Sequence, residues 1–576
     1  MFIFFFLTLF LLFISPARAL EEFRVNQKVH YLVDQSGNAS VKQEINLTNN
    51  ISQIYAKEYE FSISGSKIDN IAGGQLTSSA ENLSKILVKF DKPIIGKDQT
   101  NQFFLTYTIS EFAKKKGNTW EVQLPVYKHS FNDSIIQVTV EVPSYFGNLS
   151  FSSTPVNSTH QLNQSTQIKF DQTQLEKKIL LIFGDHQLFD FKLHYHLGND
   201  TSKVIIRQIP IPPNTDNQSV TYRNIEPAPQ NVIIDGDGNW LATYNLSPGE
   251  KIDVTATGQV KTHLPIKRQH SINPAEYLID QTYWPVNHPK ITSISQSLSG
   301  PKDIHNYVIN HLEYDYNRIN YAKRVGALGA LDNPSSSLCT EFTDLFITLA
   351  RNKGIPAREI EGFAYSNDLK IKPINQNSDV LHAWPEYYDN KTQQWIPIDP
   401  TWEKTTNGID YFNELDLNHV TFVIHGLNSQ LPPPPGSYKN GNSNKSVFID
   451  FATKNLTSEI VPPKIKLNGQ TLNIYNQNST SLDNFTLKLK DNSWQSPVIQ
   501  LPPFGSTETE IPKQSFLQSI LPSSKKIYLT SEGSVPYTEF TLENKNHYLN
   551  LSIFVGTTIL LLCISGIILT VNIKKT

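Results

Sequence analysis

Cysteine is almost missing: the 576 residues hold two, Cys339 and Cys563. A disulfide scaffold is therefore excluded, and a chain of this length folds instead around ordinary hydrophobic cores. Such thrift suggests a bacterial cell-surface protein, in which a stray thiol risks oxidation. The formal charge is −3 and no long basic run occurs, which argues against nucleic acid as a partner. No Cys/His set has zinc-site spacing and there is no EF-hand loop. Neither a metal nor a cofactor is expected.

Long apolar runs stand at the two ends. The first, MFIFFFLTLFLLFISPARA, closes on Ala17-Arg18-Ala19 and reads as a secretory signal peptide over 1–19. Left uncleaved, it would be a membrane anchor. The second, Leu551 to Val571, carries no charge and is followed by Lys574 and Lys575. It reads as a single transmembrane helix over 549–571 with a cytoplasmic tail at 572–576. The expected topology is a single-pass cell-membrane protein whose bulk is extracytoplasmic, with the two cysteines in separate compartments. Asn-x-Ser/Thr triplets such as those at Asn38, Asn46 and Asn82 arise by chance in a chain this rich in Asn and Ser, and decide little.

The chemistry concentrates between Ser335 and Trp402. After Cys339, apolar residues at Phe342, Leu345, Phe346 and Leu349 follow the one-face spacing of a buried helix. Gly354 and Pro356 stop it, with Arg351 and Lys353 in its last turn. Ser336 or Ser337 can cap its start. Cys339 then lies in the first turn, where free N–H groups and the helix dipole favour a thiolate. Downstream, DVLHAWPEYY and QQWIPID read as strands joined by a turn at Asp389-Asn390-Lys391. A two-residue loop at Asn390-Lys391 would set Tyr388 against Gln393, Trp384 against Pro397 and His382 against Asp399. A shift of one residue would separate the last two. A carboxylate beside an imidazole fixes its tautomer and supports the imidazolium. Taken singly, a buried Cys, a strand His and an Asp before Pro have ordinary readings; their conjunction points to a Cys–His–Asp site.

Here the chain resembles the transglutaminase-like superfamily of papain-type cysteine enzymes. The matching pieces are Ser337-Leu338-Cys339-Thr340-Glu341-Phe342, Gly354-Ile355-Pro356-Ala357-Arg358, Gly362-Phe363, His382-Ala383-Trp384-Pro385-Glu386-Tyr387 and Trp395-Ile396-Pro397-Ile398-Asp399-Pro400-Thr401-Trp402. The resemblance implies that Cys339 is the nucleophile, His382 the general base and acid, and Asp399 its orienting group. It also implies protein or peptide substrates with an amide side chain or peptide bond at stake. Whether water or an amine resolves the acyl-enzyme is not encoded, and no residue marks a substrate-binding site. The Cys339 N–H is a natural oxyanion donor; its second donor has no candidate.

Around this core the expected fold is multi-domain. An α+β papain/transglutaminase-like catalytic domain at 266–430 is flanked by β-sandwich domains, with the single C-terminal transmembrane helix beyond. Alternating strands between Gly, Asn and Pro turns suggest an N-terminal sandwich at 20–190 and a second β unit at 191–265, or one elaborated sandwich. IPIPPNT near Pro210 reads as an edge or boundary. LPPPPGSYKNGNSNK at 431–445 reads as a linker, and 446–540 as a further sandwich. His305 and His311 are expected as exposed helix residues. Tyr314 and Tyr316 either line the cleft or pack in the core. Trp284, Trp384 and Trp402 either shape access or serve the core. The rival to an enzyme is a surface adhesion or assembly scaffold in which the same fold binds rather than reacts.

Overall fold

The computed structural model describes residues 22–562 apart from 65–67, 81–82, 126–134, 176–178, 267–269, 321–322, 367–378, 380, 407, 440–444, 469, 490–492, 512–525, 534–537, 544–551 and 553–554. The chain divides into two units, 1–115 with 120–183, and 116–119 with 184–576.

In the first unit, Phe23–Val33 and Ala39–Asn49 alternate apolar and polar residues and bury one face each. They pair as an antiparallel hairpin. Asp34 closes the turn by accepting from the N–H groups of Ser36 and Asn38. Gly37 sits there at φ +87°, where a Cβ would lie 2.1 Å from the Ala113 carbonyl oxygen. Both strands belong to a seven-stranded sheet that includes Thr100–Ile109, Ile135–Pro143 and Ser165–Asp171. A four-stranded sheet containing Thr119–Leu124 and Ile179–Phe183 shares its core, with Tyr31, Ile45, Val122 and Leu181 buried together.

The second unit begins with another pair of sheets. His186–Gly198 pairs along its length with Lys251–His263, and Gln218–Glu226 lies on the far side of the latter. The facing sheet holds Ile205–Ile211, Trp240–Leu246 and Asn231–Ile234 in that order, which puts Pro210 on an edge strand, where its missing N–H is tolerated. The stretch expected as a linker, 431–445, leads into Val447–Phe451, and this strand returns to pair with His186–Gly198. The core of this sandwich also takes in Val420 and Phe422 from the neighbouring sheet.

That neighbouring sheet is antiparallel, in the order Gln394–Pro397, His382–Asp389, Ala357–Ala364, His419–His425. Five helices precede or join it: α1 (Pro289–Gln296), α2 (Pro301–His311), α3 (Gly326–Asp332), α4 (Cys339–Asn352) and α5 (Pro400–Thr405). Phe342, Leu345, Phe346 and Leu349 of α4 are all buried, packed with Ile304 and Val308 of α2 and with Ala357 and Ile398. Each such Leu or Phe contributes about 1.5–3 kcal/mol by leaving water. A last pair of small sheets lies between Lys464 and Glu543, around Leu472, Ile474, Phe485 and Leu487.

Two expectations are corrected. Among the described residues strand outweighs helix, 46% against 15%, because the α+β part is small beside the sandwiches. The single C-terminal transmembrane helix is not found. Among the described residues no helix is long and apolar enough to cross a membrane. Residues 555–562 are helical. Residues 549–551, 553–554 and 563–571 with Cys563, the tail at 572–576 and the signal peptide at 1–19 lie outside the described residues.

Candidate active site

Cys339 is the first residue of α4, so its N–H lacks an intrahelical partner. The cap is not serine, as the sequence suggested. Leu338 holds the N-cap position, and Glu341 reaches back to accept from the Leu338 N–H at 2.9 Å. Glu341 is itself buried and also accepts from the Val325 N–H at 3.0 Å and from Arg318 at 3.4 Å. The far end is the expected stop: the Ile355 N–H donates to the Ala350 carbonyl at 2.9 Å around Gly354 at φ +79°. Arg351, in the last turn as expected, is buried and donates to the carbonyls of Ala357 and Gly426. Burial pushes its pKa down to about 10.

The hairpin departs from the expected register by two residues. Tyr388 faces Trp395 and Glu386 faces Pro397, because the loop is longer. Asp389 holds it by accepting from the Lys391 N–H and the Thr392 hydroxyl, and Gln393 turns at φ +57°. An even shift keeps each side chain on its own face. Asp399 reaches His382 from beyond the strand end, as the N-cap of α5. One carboxylate oxygen accepts from the Trp402 N–H at 3.0 Å, and the other lies 2.7 Å from His382 Nε2. Both residues are buried.

The other ring nitrogen of His382, Nδ1, is buried without a hydrogen-bond partner of full geometry, while the Cys339 thiol acts on the ring. Burial alone would lower the His382 pKa, but the Asp399 carboxylate, with a smaller contribution from Cys339, raises it from 6.5 to about 9. Asp399 is held far below the ordinary carboxylate range: burial opposes this, and the His382 and His419 rings outweigh it. Trp402 and Trp384 stack against His382 at ring distances of 5.0 and 5.8 Å. These two tryptophans, like Trp284, are buried.

His419 was not anticipated. Its Nε2 lies 3.3 Å from the Asp399 oxygen that meets His382, and its Nδ1 lies 2.8 Å from Asp416. Burial opposes protonation, but Asp416 and Asp399 raise the His419 pKa. HVTFVIH reads as an apolar strand, and its one signal was an Asp three residues before the His. Single ligand atoms of His382, Asp399 and His419 fall within 4.8 Å of one another, a grouping that can hold a metal. In this arrangement, however, those atoms are engaged in the His–carboxylate contacts described above.

Cys339, 8% exposed, opens on a cleft of about 560 Å³. Tyr314 lines it, whereas Tyr316 is exposed and packs edge-on against Tyr314 at 5.0 Å. Pro433 and Pro434, from the stretch expected as a linker, form part of its wall. Behind the cleft lies a buried charge cluster. Arg324 pairs with Asp344 of α4 and with Glu359 of the Ala357–Ala364 strand, and His425 binds Glu359 at 2.9 Å. His305 lies elsewhere, fully buried against Phe412 rather than exposed as expected, and His311 stacks half-buried on Tyr307.

A helix-borne thiol beside a sheet-borne imidazole, itself held by a carboxylate, is the layout of the papain-type class. Residues 288–400 match the model of the transglutaminase-like superfamily, the family whose motifs the sequence resembles and whose members are typically cysteine-based enzymes. No curated protein sequence matches the chain. Among solved structures, a candidate cysteine protease from Cytophaga hutchinsonii is 15% identical with a TM-score of 0.32, covering 48% of this chain and 94% of that one. The periplasmic domain of TgpA from Pseudomonas aeruginosa is 14% identical with a TM-score of 0.22, covering 39% and 91%. An M1 zinc metallopeptidase from Deinococcus radiodurans is 11% identical with a TM-score of 0.20, covering 31% and 44%. At such scores these likenesses carry no weight for function.

Proposed function

We propose that the chain is a thiol-dependent enzyme acting on amide bonds of proteins or peptides, with Cys339 as nucleophile, His382 as proton carrier and Asp399 as its orienting group. The observation that carries this reading is the His382 ring: Nε2 is fixed by Asp399 at 2.7 Å, while Nδ1 is left unpartnered on a ring the Cys339 thiol influences. The Cys339 sulfur attacks the amide carbon, and the carbon–nitrogen bond breaks as His382 delivers a proton to the departing amine. The Cys339 N–H supports the negative oxygen of the intermediate. A thioester remains. Water then attacks it, giving up a proton to His382 and restoring the thiol; an amine in place of water would give transamidation. The scaffold alternative leaves unexplained why a buried imidazole is provided with a carboxylate on one side and an open nitrogen on the other. Incubation with a peptide library, followed by mass-spectrometric mapping of new termini and new amide links, tests the reading. Products that vanish in Cys339→Ala support it, and identical profiles with and without the thiol refute it.

A further inference from the structure

The cleft beside Cys339 contains an acid that the reaction does not use. Glu361 sits on the Ala357–Ala364 strand, opposite Ala383 and one residue from the Gly362 that faces His382. It lines the same cavity as Cys339 and Tyr314, and among the described residues no hydrogen bond or ion pair engages its carboxylate. The cations around the cleft are committed elsewhere. Arg324 is held by Asp344 and Glu359, His425 by Glu359 and the Pro432 carbonyl, and Lys439 pairs with Asp379 at 3.1 Å. Burial, and then the Glu359 carboxylate, push the Glu361 pKa up to about 7 against the weaker pull of His425 and Arg324. Half-buried and hydrogen-bonded to no described residue, the carboxylate lines space that a substrate would fill.

We propose that Glu361 forms a cation subsite beside Cys339, which selects substrates bearing an ammonium group near the reacting carbonyl. The inference rests on the reading of Cys339 as the nucleophile. It predicts a preference for charge of one sign that the Cys–His–Asp arrangement does not itself supply. The ammonium belongs either to the acyl donor or to an incoming amine, since both pass through the cleft.

The test uses methanethiosulfonate reagents on the full chain, with modification of Cys339 read by peptide mass mapping. The cationic aminoethyl reagent is compared with the neutral methyl and anionic sulfonatoethyl ones, each rate normalised to a small free thiol. The expected result is a cationic-to-neutral ratio at least fivefold above that of the free thiol, collapsing towards one in Glu361→Gln. Because each rate is taken as a ratio to that of the neutral reagent, a change in the thiol's own reactivity cancels, and an unchanged thermal midpoint serves as the check on folding. A ratio near one in the native chain, or a preference that survives Glu361→Gln, overturns the subsite. Inertness of Cys339 to all three reagents would instead overturn its assignment as nucleophile. With p-nitrophenyl acetate as a neutral donor, acceleration by cadaverine that Glu361→Gln abolishes places the ammonium on the incoming amine. A retained reagent preference without such acceleration places it on the donor.

Discussion

Replacing Asp399 by Asn changes one atom and removes one charge, and the contacts of the carboxylate set the consequence. It serves three groups: the Trp402 N–H on one oxygen, His382 and His419 on the other. An amide has a single acceptor oxygen, so one side is left facing an NH₂ group. The raised pKa of His382, from 6.5 to about 9, corresponds to about 3 kcal/mol of stability. Since the folded value lies above the unfolded one, that stability is complete below pH 6.5 and fades as the pH rises to 9. Breaking a buried ion pair from one side costs roughly 3–5 kcal/mol, so Asp399→Asn should lose that much at pH 7. It should also lose the decline in stability that the native chain shows between pH 6.5 and 9. Trp384 and Trp402 flank the ring, so urea unfolding followed by tryptophan fluorescence reports the transition. The reasoning is refuted if the variant lies within about 1 kcal/mol of the native chain, or if its stability falls with the same slope over that pH range.

Three further substitutions probe the surroundings. Arg324→Met leaves Asp344 without a cation in the interior and Glu359 with His425 alone and should cost roughly 3–5 kcal/mol, part of which Asp344→Asn should restore in a double-mutant cycle on denaturation midpoints. Gly362→Ala would place a methyl group 2.0 Å from the Val420 carbonyl oxygen. The strand opposite His382 must then shift, at a cost of roughly 1–3 kcal/mol and with slower labelling of Cys339 than in the native chain. His305 is buried, its Nε2 3.5 Å from a Glu403 carboxylate oxygen and neither ring nitrogen in a hydrogen bond, and burial pushes its pKa from 6.5 down to about 3. Its neutral form is therefore the folded one, and stability falls as the pH drops below 6.5. His305→Leu should match the native chain at pH 7 and exceed it by roughly 2 kcal/mol at pH 5, as read from thermal midpoints.

Local signals in the sequence placed Cys339 well. The spacing of Phe342, Leu345, Phe346 and Leu349 and the Gly354–Pro356 stop were enough to place Cys339 at the start of a buried helix. The cap was misread because the N–H groups are served by Glu341 from inside the helix, while Ser336 and Ser337 make other bonds. In the hairpin, the loop length depends on Asp389 binding Lys391 and Thr392, a choice that the residue types alone leave open. The error of two residues did no harm to the site, since faces alternate with period two. His419 escaped notice because its partners come together only in the folded sheet. For the run at 551–571, hydropathy along the chain invited a spanning helix; the described part, 555–562, is helical, and among the described residues no helix is long and apolar enough to cross a membrane.

The central claim is that Cys339 is an activated nucleophile assisted by His382. The most direct measurement is the rate of iodoacetamide labelling at Cys339, mapped by mass spectrometry at neutral pH, in the native chain and in His382→Ala. Labelling at least tenfold faster than that of a small free thiol, and slowed to or below the free-thiol rate by the substitution, is the predicted result. Labelling no faster than a free thiol, and indifferent to His382, would contradict the claim and leave the fold as a binding scaffold.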